Sequence, residues 1–380
     1  MAVTLGVAAA TAACRSDDDT TGSTGIASTA STDTASTGTA GTVTDTDTGT
    51  ADPLPLLPAG TPLGVSSFSP TPPELAAERD DLWDRVQAVS PIGRVMVDWV
   101  DVEPEEGVYE TGDIVEGLTE LRERGQAPML SIVATDVSGT PFPSWLGDTF
   151  EPARAAAAYN RMLDALAPII RDHDVWYLAV ANEPPLEELD RMDFAEFVAA
   201  VRDHARPLLP DTAVGFVFAG GDALADDAAG EALRNASDVL ALNHYCLDAG
   251  FQVTPIEELD AGFDRILDAA DGRPVVFQEL GCPASAELGS SDEFQADWME
   301  AAFDRIAAEP DVRAAYVFEF VDWSDDLVGF AYDELLAAPE ERAVLALLAD
   351  WLGTSGLVRQ DLTTRPVFDV YLDAAAASSS

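Results

Sequence analysis

From Leu63 onward the chain alternates eight times between a short apolar run and a longer amphipathic segment. The short runs cover residues 63–68, 92–98, 127–134, 175–181, 213–218, 239–243, 274–278 and 314–320. Helical periodicity fills the gaps, for example over 74–89, 113–124, 152–171, 194–208, 256–270 and 291–308. Strands that alternate with helices imply a parallel sheet, and eight such units in a chain of this length imply closure into a (β/α)8 TIM barrel. An open doubly wound sheet is the competing arrangement, but it would carry a glycine-rich phosphate loop after its first strand. Ser66-Ser67-Phe68-Ser69-Pro70 stands there instead. A last helix is expected over about 339–351, followed by Gly356-Leu357-Val358 and a proline-containing closing segment.

The barrel is expected to span residues 59–376, because the N-terminal part cannot fold the same way. Residues 2–13 form a short apolar stretch with small side chains ahead of Cys14, and Thr11-Ala12-Ala13-Cys14 resembles the lipobox of bacterial lipoproteins. Thr replaces the usual Leu and no basic residue precedes the stretch, as if the start codon were assigned too late; a disordered leader with a stray cysteine is the alternative. Residues 15–58 are mostly Thr, Ser, Asp, Gly and Ala and bury too little apolar surface to offset the entropy of ordering. A coil of roughly 40 residues reaches about 35 Å, enough to lift a domain off a membrane. No apolar stretch is long enough to span a bilayer, so membrane contact is expected only through a lipid on Cys14. The expected location is that of an exported bacterial lipoprotein in the cell envelope, at the cell surface or secreted.

Charge limits the partners. The chain of 380 residues holds 69 acidic against 20 basic residues, all of them Arg, for a net charge of −49. Such a field repels nucleic acid, anionic membranes and anionic polysaccharides. A neutral carbohydrate fits, and a monomer is the simpler expectation at low salt. The acidity itself is explained equally by a salt-adapted surface and by the residue bias of a GC-rich genome.

Two acidic residues have a shared context. Glu183 follows the fourth apolar run in Asn182-Glu183-Pro184, and Glu279 ends the seventh, ninety-six residues on. The C-terminal ends of barrel strands share one face, so the pair is expected together there. Paired carboxyls about 5 to 5.5 Å apart, one protonated and one ionised, are what cleavage of a glycosidic bond with retention requires. The bland alternative is two solvated loop carboxylates among many.

Strand by strand, the chain resembles the clan A retaining glycoside hydrolases, the cellulase- and mannanase-like barrel families. Asn182-Glu183-Pro184 resembles their acid/base motif and Glu279-Leu280-Gly281 their nucleophile motif. Arg94, together with Trp99, Glu103, Pro104 and Gly107, is similar to their second-strand segment; His244-Tyr245 and Trp323 fall where they place site residues on strands six and eight. The resemblance covers about residues 60–375. It implies Glu183 as acid/base, Glu279 as nucleophile and Asn182 as a partner of the sugar 2-hydroxyl. Arg94 and Tyr245 would hold Glu279, and His244 would meet substrate, a packed histidine at the barrel rim being the alternative. Trp323, Trp145 and Trp99 are candidate sugar platforms, packing being the alternative for each. No cofactor is implied, and no metal site is expected from three scattered histidines, of which His173 and His204 read as structural.

Cys246 and Cys282 follow neighbouring strands and form a candidate disulfide, with two unpaired thiols as the alternative. The expected activity is retaining hydrolysis of β-glycosidic bonds in a neutral polysaccharide or oligosaccharide. The alternative is a non-catalytic glycan-binding surface lipoprotein on the same scaffold.

Overall fold

The computed structural model describes residues 61–378 except 68–72, 137–141, 148, 187–188, 249 and 332–340, together with Leu57. Cys14, the leader and all of the tether but Leu57 lie outside the described residues. Among the described residues there are eight strands: β1 (Leu63–Val65), β2 (Ile92–Asp98), β3 (Ala127–Val133), β4 (Tyr177–Asn182), β5 (Ala213–Ala219), β6 (Leu240–Tyr245), β7 (Val275–Gly281) and β8 (Val312–Val317). All pair in parallel in the order β1-β8-β7-β6-β5-β4-β3-β2. The result is a nearly closed (β/α)8 barrel in which β1 and β2 face each other at the seam.

The surrounding helices are α1 (Ala76–Gln87), α2 (Gly112–Glu123), α3 (Pro152–Asp172), α4 (Arg191–Leu208), α5 (Ala228–Asn235), α6 (Leu259–Ala270), α7 (Asp292–Ala307), α8 (Asp325–Ala331), α9 (Glu341–Leu352) and α10 (Pro366–Ser378). Three have no counterpart in the sequence reading: α5, α8 and α10. The proline-containing closing segment is α10, for proline fits a helix's first turn, where no backbone donor is needed. The short α5 is too brief to show helical periodicity, and the Asp227 side chain caps it by accepting from Gly230 N.

The strands read as continuous apolar runs because both faces are buried. Along β4, Leu178 and Val180 pack outward with Tyr159 and Phe197, while Tyr177 and Ala179 point into the barrel. The N-terminal half of the interior is a plug of Ile92, Met129, Trp176, Tyr177, Val217, Val276 and Tyr316, with small residues such as Ala179, Ala241 and Ala314 between the rings. This filled base leaves the functional side chains at the opposite end.

Gly64 shows how tight the plug is. A Cβ there would stand 2.7 Å from the Tyr316 ring and 3.0 Å from Ile92 across the β1/β2 seam. Gly64→Ala is therefore expected to lower stability by about 1–3 kcal/mol through overpacking. Urea unfolding of variant and parent measures this, and an unchanged midpoint would show that the seam has slack.

Candidate active site

Two irregularities in strand pairing build the mouth of the barrel. Between the pairs Ala179↔Gly215 and Asn182↔Val217, β4 advances three residues while β5 advances two. Between Phe277↔Ala315 and Leu280↔Val317, β7 does the same against β8. Each extra residue is a bulge, which breaks the two-residue alternation and re-aims side chains. Consecutive residues thereby reach the interior: Gln278 bonds to Ser131 and Asn182, and Glu279 meets Arg94 and Tyr245.

Below the two glutamates lies a polar layer of Ser131, Asn182, Asn243 and Gln278, each at most 8% exposed. Gln278 Nε2 donates to Asn182 Oδ1 at 2.6 Å, Asn243 Nδ2 donates to the same oxygen at 3.4 Å, and Ser131 Oγ donates to Gln278 Oε1 at 3.2 Å. The layer is anchored in β3, β4, β6 and β7.

Glu183 and Glu279 face each other in this mouth with different company. Glu183 adopts φ 42°, a left-handed conformation that strains a side-chain-bearing residue, and its N–H donates to Val217 O at 2.8 Å. Burial, and next the charge of Glu279, push its carboxyl from 4.5 up to about 8; Asp136 and Asp222 add to the rise and a hydrogen bond with Asn243 opposes it. Burial also raises Glu279, but the Arg94 guanidinium and the Tyr245 hydroxyl act against that rise. Arg94 Nη1 stands 3.6 Å from Glu279 Oε1 with its side chain 3% exposed, and Tyr245 donates to Glu279 Oε2. The cation and the phenol sit on Glu279, so a single proton shared by the pair belongs on Glu183.

The remaining candidates are placed differently. Trp99 is fully buried; its Nε1 donates to Glu103 Oε2, and Gly107 N donates to Glu103 Oε1. The second-strand segment thus closes on itself around a buried glutamate, and Trp99 packs edge-on against Tyr159 and Trp145 rather than opening as a platform. Trp145 is half-buried, with Nε1 donating to Glu103 O. Trp323 is half-buried at the end of the barrel, with Nε1 donating to Glu319 Oε2 at 3.2 Å. His244 points away from the mouth: its ring lies among Phe263, Phe277 and Trp298, and burial pulls it down to about 4. It is neutral packing between barrel and helices. His173 and His204 lie on the helical periphery, bonded to Ile169 O with Thr119 and to Asp164 respectively.

Asn243 was the residue to find on β6. With Tyr245 facing inward, strand alternation places Asn243 inward and His244 outward. Gln278 carries no such signal, since alternation sets it opposite Glu279 and only the bulge reverses that. Cys246 and Cys282 form a disulfide, Cα atoms 5.1 Å apart, that ties the segment after Tyr245 to the one after Glu279. On the outer side of Tyr245, Trp351 of α9 packs edge-on at 4.7 Å. Among the described residues, no group of three or more His, Cys, Asp or Glu is arranged to hold a metal ion.

The sequence matches no protein-family model and no curated protein. Solved structures do resemble it. An exo-β-1,4-mannosidase from Opitutaceae bacterium strain TAV5 aligns with TM-score 0.59 at 19% identity, over 84% of this chain and 60% of that one. A family 5, subfamily 18 glycoside hydrolase from Bifidobacterium longum, crystallised with Manβ1-4GlcNAc, aligns with TM-score 0.62 at 14% identity, over 83% and 78%. Xylanase 10B from Thermotoga maritima aligns with TM-score 0.59 at 12% identity, over 84% and 95%. The fold shared with them is the (β/α)8 barrel. This chain spans less than two thirds of the mannosidase's length, and at these identities the likeness is one of fold.

The raised Glu183 carboxyl has a consequence for stability. The folded chain binds that proton more tightly than the unfolded chain, so the contribution is complete below about 4.5 and is lost as pH rises through about 8. Glu183→Gln, which keeps the shape and cannot ionise, is expected to gain stability over the parent progressively from pH ~5 to ~8. Thermal unfolding across that range checks it; a pH-independent difference contradicts the raised value.

Proposed function

We propose that the protein is a retaining glycoside hydrolase acting on β-linked neutral glycans, with Glu279 as nucleophile and Glu183 as acid/base. The observation that carries this reading is the asymmetry of the carboxyl pair: Glu279 is held by Arg94 and Tyr245, whereas Glu183 is raised to about 8. In the first step a Glu279 oxygen attacks the anomeric carbon as the glycosidic C–O bond breaks, and the Glu183 proton passes to the departing oxygen. The product is a glycosyl ester on Glu279. With Glu183 now ionised, it takes a proton from water as that water attacks the anomeric carbon, and Glu279 leaves as carboxylate. Two inversions give net retention.

Arg94 and Tyr245 keep the nucleophile ionised and oriented by charge-assisted and neutral hydrogen bonds. Asn182 has its oxygen engaged by Gln278 and Asn243, which leaves its Nδ2 to donate to a sugar oxygen. Trp323 offers an aromatic wall at the end of β8. The net charge of −49 favours an uncharged substrate. The mannosidase and the Manβ1-4GlcNAc complex among the similar structures put β-mannosides first in the panel.

Export belongs to the same proposal. A disulfide persists in oxidising compartments, in keeping with the lipobox-like Thr11-Ala12-Ala13-Cys14 and a lipid-anchored, monomeric enzyme at the cell surface.

The test is reducing-end release from mannan, cellulosic, mixed-linkage, xylan and galactan substrates by parent and variants. The parent is expected to release sugar from at least one, giving the β-anomer first by proton NMR. Glu279→Ala is expected to abolish release, and Glu183→Ala to reduce it by about 10²–10⁴. Silence from parent and variants with glycan binding retained would make the protein a non-catalytic binding barrel.

A further inference from the structure

The polar layer under the glutamates is one connected chain with a fixed direction. Ser131 donates its proton to Gln278 Oε1, which leaves the Gln278 nitrogen as the end facing Asn182. Gln278 and Asn243 then converge as donors on Asn182 Oδ1, which settles the orientation of that amide. Asn182, on which both donors converge, immediately precedes Glu183 in the chain, and the Asn243 amide also acts on the Glu183 carboxyl. The chain therefore runs from β3 through β7 to β4 and β6, and its end is Glu183. Glu279 is outside it, with Arg94 and Tyr245 as its own supports.

We propose that Gln278, though adjacent in sequence to Glu279, is a positioning residue for Glu183, aiming the acid through Asn182 and Asn243. This rests on the hydrolase reading above. The 2.6 Å bond from Gln278 is the short contact on Asn182 Oδ1, and the one from Asn243 is 3.4 Å. Without the Gln278 donor the Asn182 oxygen keeps only the long contact. The Asn182 and Asn243 amides then lose their fixed orientation, and the Glu183 proton loses its aim at the departing oxygen. Nucleophilic attack keeps its geometry because the supports of Glu279 are untouched. Loss of the Asn182 contact to the sugar falls on every donor alike, and loss of proton donation is added to it in proportion to how poor the leaving group is.

That division gives a test that mere destabilisation does not mimic. The full-length chain and its Gln278→Met variant, similar in length and without a donor, are compared by kcat/KM on methyl and 2,4-dinitrophenyl β-glycosides. The donors are mannose, glucose and xylose and their β-1,4-linked disaccharides. Dinitrophenolate departs without a proton, whereas methoxide needs one. Gln278→Met is expected to lose about tenfold or more on the methyl glycoside relative to the dinitrophenyl one. Ser131→Ala, which removes the first link and little volume, is expected to show a smaller split in the same direction, and decides the matter if Gln278→Met does not fold. Equal losses on the two donors, or none, overturn the proposal. A parent inert on every dinitrophenyl donor is a distinct result, which removes the hydrolase reading and this inference with it.

Discussion

Two carboxyl groups that share one partly closed mouth cannot both be ionised at low cost, and the upper half of this barrel is arranged around that constraint. Placement at the ends of parallel strands puts both carboxyls on one face of the barrel without choosing between their charge states. The distinction comes from supports: a cation and a phenol, Arg94 and Tyr245, stand on Glu279, whereas burial and the charge of Glu279 outweigh the one amide, Asn243, that acts on Glu183. A guanidinium and a phenol hold a negative charge more firmly than a single amide does. Two chemically identical side chains thereby acquire the opposite states that acid-assisted nucleophilic displacement requires.

The arrangement needs a rigid platform. Trp176, Tyr177 and Tyr316 fill the base, so the mouth rests on packed rings. The bulges in β4 and β7 supply the extra inward residues, and the polar layer between base and mouth satisfies the amides that those bulges turn inside. The rim is held by the Cys246–Cys282 disulfide beside Tyr245 and Glu279, with Trp351 packed behind Tyr245. The left-handed backbone of Glu183 and its unfavourable burial are local costs that the surrounding barrel offsets, as is common where function conflicts with stability.

The barrel was legible because strands buried on both faces leave continuous apolar runs, and eight of them alternate with helical periodicity. The positions of Glu183 and Glu279 were legible for a related reason, since a strand's C-terminal end is visible where the run stops. What lay beyond reach was set by three-dimensional detail. Trp99 resembled a platform, but its indole is drawn into the interior by Glu103, a buried carboxylate four residues on. His244 drew attention as a histidine at a strand end, while plain alternation from Tyr245 pointed to Asn243. Gln278 was hidden because the bulge that turns it inward leaves no mark in the residue pattern. The closing segment gives no helix start by its proline alone, because Pro366 fits a turn as well as the first turn of helix α10.

The central claim is that the charge on Glu279 helps keep Glu183 protonated. Carbon-13 NMR titration of the glutamate carboxyls in the parent and in Glu279→Gln reads it directly, and needs no knowledge of the substrate. The account predicts a carboxyl titrating near 8 in the parent that disappears in Glu183→Gln and moves to a lower value when Glu279 is made neutral. A Glu183 carboxyl that titrates in the ordinary range, or that is unmoved by neutralising Glu279, would contradict it.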